Sequence, residues 1–210
     1  MGPFWMLIAA VSVVAFIALL ILQGIDPTNT LDMLKLIPSV AMVDGIVYAV
    51  FARWVWRWSI LQGWLVPFPD LEGTWNGEIR TSWTNAQDEE PAPISVYLTI
   101  KQTFGRVSCV MRTDEMESHS YAESFSIDDD DQVRRLCYTY ASRPKQALRS
   151  RSTPHDGTVL FNVIGKSASR LEGEYWTQRG TTGTVNLKFV TRELIDSMSG
   201  GKAGEQCESQ

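Results

Sequence analysis

Hydrophobic positions follow two different rules along this chain, and the change falls near residue 66. Residues 4–22 carry no charge, and Ser12 is their one polar member. Those 19 residues form a helix of about 29 Å at about 1.5 Å per residue, the thickness of a bilayer's hydrocarbon core. A second apolar run covers residues 36–55, interrupted by Pro38, Ser39, Asp44 and Gly45. Joined by the polar link 24–35, the two runs predict a hairpin of two transmembrane helices over residues 1–61. A linker with two prolines and a glycine follows at 62–69. Beyond it the period falls to two. Ile94, Val96, Leu98 and Ile100 alternate with Ser95, Tyr97, Thr99 and Lys101, as in a half-buried strand. Comparable stretches lie at 71–83, 106–113, 118–127, 133–141, 158–164, 171–179 and 184–191. Eight strands with hairpin-length links predict an all-β domain over 70–196, an eight-stranded antiparallel up-and-down β-barrel that leaves no free edge. The Gly-rich polar tail 197–210 is expected to be disordered.

The segment 171–183, LEGEYWTQRGTTG, organises the chemistry. Read with a period of two, Tyr175, Thr177, Arg179 and Thr181 share one strand face, and Glu172, Glu174, Trp176 and Gln178 share the other. The second face reads as the wet exterior. The first places a guanidinium toward the interior, which requires an anion or a carboxylate beside it. This face is therefore expected to line a pocket for a phosphate-bearing ligand.

Charge narrows the partners. The net charge is −5, and through residue 66 Asp26, Asp32 and Asp44 balance Lys35, Arg53 and Arg57. The whole excess thus belongs to residues 67–210, which argues against gripping duplex nucleic acid. Arg53 and Arg57 follow the second helix, so positive-inside logic places the large domain and the N-terminus in the cytoplasm. Trp54, Trp56, Trp58 and Trp64 read as an interfacial aromatic belt. A cleaved signal peptide is the poorer reading of the first 25 residues, which lack a basic start and a small-residue cleavage site. Cys109, Cys137 and Cys207 show no CxxC or metal spacing and read as reduced thiols.

Other candidates carry less. Asp44 is a carboxylate at membrane depth, and such a group faces a partner helix or a wet cavity. Tyr138 and Tyr140 share a face and suit stacking on bases or donating to phosphates. Thr113, Ser118 and Ser120 form a hydroxyl cluster where two strands meet. His155 precedes a turn and reads as structural; His119 is the only other histidine, so no metal triad is proposed. Residues 128–131 read as a solvated acidic turn. No GxSxG, HExxH, Walker or GxGxxG motif occurs in a usable context, so neither an enzyme nor a cofactor is expected.

These features, taken together, resemble one family. The order of two apolar helices, PDLEGTW at 69–75, IKQTF at 100–104, Thr113 with SHS at 118–120, LCYTY at 136–140, HDGT at 155–158 and the segment 171–183 is similar to the SMODS-associating two-transmembrane, β-strand-rich effectors of bacterial CBASS antiphage systems. That resemblance implies a minimal β-barrel binding a cyclic dinucleotide made by a partner nucleotidyltransferase. It further implies homo-oligomerisation through the transmembrane helices, disruption of the inner membrane and death of the infected cell. Carried over by position, Tyr175, Thr177, Arg179 and Thr181 match the family's main motif, with Thr113, Ser118, Ser120, Tyr138 and Tyr140 secondary. The competing reading is a membrane-anchored, lipocalin-like carrier of apolar small molecules.

Overall fold

The computed structural model describes residues 3–82, 91–128, 133–148, 152–165 and 168–196. The acidic loop from residue 85, most of the 128–131 turn, Trp83, Cys207 and the tail from residue 197 fall outside or largely outside these. The chain divides into two compact units, one of residues 1–67 with 103–105, the other of 68–102 with the residues from 106 onward.

The first unit is helical. α1 spans Pro3–Gln23, α2 Thr30–Leu34 and α3 Ile37–Arg53. The expected polar link thus holds a one-turn helix, started by Asn29, whose side chain accepts from the Leu31 N–H at 3.2 Å. Pro38 does not break the second apolar run. It sits in the first turn of α3, where no backbone donor is required. Two stretches, Trp5–Gln23 and Thr30–Arg53, are long and apolar enough to cross a membrane. The aromatic belt loses one expected member: Trp54, Trp58 and Trp64 are exposed, whereas Trp56 is fully buried. Beyond Arg53 the chain folds into two short 3-10 turns, and Trp56 falls in the first, which turns its ring inward.

The second unit is a closed antiparallel barrel in chain order, β1 Gly73–Thr81, β2 Ile94–Thr103, β3 Arg106–Arg112, β4 Met116–Asp128, β5 Val133–Pro144, β6 His155–Ile164, β7 Arg170–Thr177 and β8 Thr182–Thr191. β1 closes against β8, with Thr81 opposite Gly183. Trp75, Leu98, Ile100, Leu136, Phe161 and Leu171 fill the interior, none more than 1% exposed. Each contributes about 1.5–3 kcal/mol relative to exposure. Gln102 joins the strands near the linker end: its Oε1 accepts from the Leu71 N–H at 2.7 Å and its Nε2 donates to the Pro69 carbonyl at 3.0 Å.

Two departures from strict alternation matter. Tyr97 and Thr99 are buried although they face outward, and over Thr99 the segment 193–195 lies across β1 and β2. Thr99 Oγ1 donates to the Ile195 carbonyl at 2.9 Å and Thr74 Oγ1 to that of Glu193 at 2.7 Å. The second departure is a bulge in β4 between Ser120 and Ala122. One extra residue there reverses the face assignment of everything that follows.

Candidate functional site

The site is built from rows of cross-strand neighbours, which share a face of the sheet. Across β4, β5, β6 and β7 the register aligns Ser120 with Tyr140, Tyr140 with Gly157 and Gly157 with Thr177. The row nearer the rim joins Ser118 to Ser142 and Ser142 to His155. The row deeper in the barrel joins Glu123 to Tyr138, Val159 and Tyr175. Tyr138, Tyr140 and Ser142 are buried, so all three rows face inward. The rim end of these four strands therefore presents a polar inner wall, while the apolar core fills the rest.

Two glycines make room for the tyrosines. A Cβ on Gly157 would stand 2.5 Å from the Tyr140 hydroxyl oxygen, and one on Gly183 would stand 2.6 Å from the Tyr175 ring. Each ring lies across the bare backbone of the next strand, where any side chain would displace it. Burial, and secondarily Tyr175, pushes the Tyr140 hydroxyl up to about 12, with Arg179 pulling the other way. Tyr138 is driven well above the ordinary tyrosine value, by burial first and then by Cys109 and Tyr140. Its hydroxyl is buried and has no hydrogen-bond partner among the described residues. Such an orphan requires an explanation, and a bound molecule that completes it is one.

Arg179 is not on the inward strand face. β7 ends at Thr177, and the chain turns with Gly180 N–H on the Thr177 carbonyl at 2.9 Å and Thr177 N–H on the Thr181 carbonyl at 2.9 Å. Gly180 has φ +78°, which completes a three-residue hairpin loop closed by a glycine bulge. The period-two reading ran two residues past the strand. Arg179 stands exposed at the rim, where its guanidinium donates to Nδ1 of His155. Thr177 and Thr181 do face one another, their hydroxyls 2.6 Å apart, and close the loop. Gln178 N–H donates to the Asp156 carbonyl at 2.8 Å and ties the loop to β6.

The hydroxyl cluster separates. Ser118 donates to Ser142 at 2.9 Å, within the rim row. Ser120 accepts from the Cys109 N–H at 2.8 Å and donates to Glu123. Thr113 instead serves the β3–β4 turn, where its Oγ1 accepts from the Met116 N–H at 3.0 Å and the Glu115 N–H at 3.3 Å. The turn engages that hydroxyl because the strand stops at Arg112.

Three residues of this wall escape a reading by residue type. Ser142 falls just beyond the stretch 133–141 that alternation marks as a strand, among Arg, Lys and Pro neighbours. His155 is in phase with Gly157 and Val159, a signal that only the strand's earlier start makes readable. Glu123 turns inward solely because of the β4 bulge. Burial, and secondarily this carboxylate, raises the Cys109 thiol far above its usual range. Burial lowers the His155 pKa, with the Arg179 charge adding to the effect and the Thr153 carbonyl and Asp156 opposing it. His155 is thus neutral and suited to accept from Arg179.

Asp44 lies in α3, in the helical unit. Its Oδ2 accepts from Ser12 Oγ of α1 at 2.7 Å.

Residues 66–189 match the family described as Cap15, cyclic dinucleotide receptor domain. The chain is also similar to the CD-NTase-associated protein 15 of Staphylococcus schleiferi, 26% identical over 159 residues, which are 71% of this chain and 81% of that protein.

Proposed function

Because the chain belongs to the Cap15 cyclic dinucleotide receptor domain family, we propose that it binds a cyclic dinucleotide at the polar rim of β4–β7 and acts in a membrane as a CBASS effector. One observation supports this most: a guanidinium, two tyrosine rings on glycine floors and an orphaned Tyr138 hydroxyl converge on one rim. A cyclic dinucleotide offers two phosphates, two bases and a closed ring. Arg179 suits a phosphate through paired, charge-assisted hydrogen bonds. Tyr140 and Tyr175 offer faces for stacking and hydroxyls for ribose or phosphate. Thr177, Thr181, Ser118 and Ser120 line the approach, Tyr138 lies deeper, and Thr113 acts by shaping the turn beside them. The closed ring of the ligand loses little freedom on binding.

The ligand comes from a partner nucleotidyltransferase. Its binding favours an assembly of copies through the two helices, which disrupts the inner membrane and kills the phage-infected cell. The barrel and the N-terminus lie in the cytoplasm. For this switch the ligand must bind the assembled state more tightly than the resting one, since equal affinity shifts nothing.

The test is titration of the full chain in detergent micelles with a panel of cyclic dinucleotides. Saturable binding of one member without turnover is the expected result, together with ligand-dependent dye release from liposomes that carry the protein. Turnover of the ligand points to an enzyme instead, and absence of binding across the panel sinks the receptor reading.

A further inference from the structure

α1 and α3 leave between them an open groove of about 290 Å³, lined by Leu7, Ile8, Val11, Gly45, Tyr48 and Phe51, with Asp44 in its wall. One carboxylate oxygen of Asp44 takes the Ser12 hydroxyl at 2.7 Å. The other, Oδ1, is buried and has no hydrogen-bond partner among the described residues. In hydrocarbon an unpaired polar oxygen is costly, because no water is there to replace the missing bond. A cation is not at hand: α1 has no charged residue, and α3 carries only Asp44 and the terminal Arg53.

Two further features sit in the same groove. Tyr48 is one turn after Asp44 and half exposed. Among the described residues, nothing lies within 4 Å of where a Cβ on Gly45 would stand, so another helix can approach its backbone closely. A lipid chain fills the apolar part of such a groove but brings no polar group to the depth of Asp44. A second copy inserted in the same orientation brings Tyr48 there by symmetry. Helical side chains lean toward the helix N-terminus, and one turn is about 5.4 Å. The Tyr48 phenol therefore reaches the level of Asp44 across a parallel pair of α3 helices, whereas within one helix it has not closed on Oδ1.

We propose that this groove is the seam between two copies of the chain, closed by reciprocal hydrogen bonds from the Tyr48 hydroxyl of each to the free Asp44 oxygen of the other. The arrangement is self-complementary, as a two-fold contact requires. It rests on the reading above in that copies associate in the membrane, and it names the contact they use.

The experiment measures energy transfer between donor- and acceptor-labelled full-length chains in liposomes, with and without a saturating cyclic dinucleotide. Tyr48→Phe and Asp44→Leu are each expected to weaken association about 10-fold, and the double variant no further than either alone. Asp44→Asn keeps an acceptor at Oδ1 and should associate within about 3-fold of wild type. Circular dichroism and retained ligand saturation establish that each variant is folded. Wild-type association left intact by Tyr48→Phe, or losses that multiply in the double variant, overturn the seam alone. Failure of the wild type to associate under any condition overturns the seam and the assembly reading together.

Discussion

The guanidinium of Arg179 donates to Nδ1 of His155, joining the turn after β7 to the first residue of β6. For that bond the imidazole must be neutral with its proton on Nε2, in competition with the Thr153 carbonyl, which lies 3.3 Å from the same Nδ1 and favours a proton there. Burial and the Arg179 charge lower its pKa. As pH falls below the ordinary histidine value of about 6.5, the unfolded chain therefore takes up its proton first, and folding stability declines. A protonated His155 beside Arg179 also adds positive charge at the rim. Acidification from about pH 7.5 to about 5.5 should lower the melting temperature of the free barrel while strengthening its affinity for an anionic ligand. His155→Gln should flatten both trends, which fluorimetric melts and calorimetric titrations across that range would read.

Arg179 is exposed on a turn, so its loss should leave the fold intact. Arg179→Ala is expected to shift the melting temperature by no more than about 2 °C. Cyclic dinucleotide affinity should fall about 10- to 100-fold, the range for a charge-assisted hydrogen bond to phosphate. Arg179→Lys keeps the charge without the planar fork and should fall between the two. Unchanged affinity in folded Arg179→Ala removes this residue from the site.

Tyr138 separates stability from binding. Its hydroxyl is buried without a partner among the described residues, so Tyr138→Phe should be neutral or stabilise the free chain by up to about 1 kcal/mol. If the ligand completes that hydroxyl, the same substitution weakens binding about 3- to 10-fold. Urea melts beside titrations give the two numbers, and a destabilised Tyr138→Phe would mean that the hydroxyl already has a partner in the free protein.

The glycine floors make distinct demands. Gly157→Ala sets a methyl against the end of Tyr140 and should cost about 1–3 kcal/mol. Combining it with Tyr140→Leu should recover part of that loss. A Cβ on Gly183 meets the Arg80 carbonyl at 2.2 Å, and backbone cannot yield as a side chain does. Gly183→Ala should therefore be destabilised by at least as much, with less relief from changing Tyr175, because the clash with the carbonyl remains. Denaturation midpoints of the four variants test the contrast.

Much of the architecture was legible from residue order because burial imposes a period. The runs 4–22 and 36–55 announced two helices. The alternation from Ile94 to Ile100 announced β2, and Tyr175 and Thr177 were placed on the inner face. The matching segments LEGTW at 71–75 and LEGEYW at 171–176 each carry a glycine that admits neighbouring backbone. Gly73 and Gly173 bear this out, since a Cβ on either would lie 2.4 Å from a carbonyl oxygen of the adjacent strand.

What pattern could not reach were features set by a partner far along the chain. Arg179 continued a period of two on paper, yet β7 stopped at Thr177 because Gly180 turned the chain back toward β8. Glu123 fell on the outer phase counted from Ser118 and Ser120, and a single extra residue in β4 turned it in. His155 gained its role only when β6 began early enough to pair it with Ser142 and bring it under Arg179. The amino-acid order by itself determined which segments are helix or strand and which strand faces are apolar, because each is a local consequence of side-chain spacing. The tertiary structure decided where strands end, where one bulges and which polar groups meet at the rim, because those follow from cross-strand register, and register is settled only when the barrel closes.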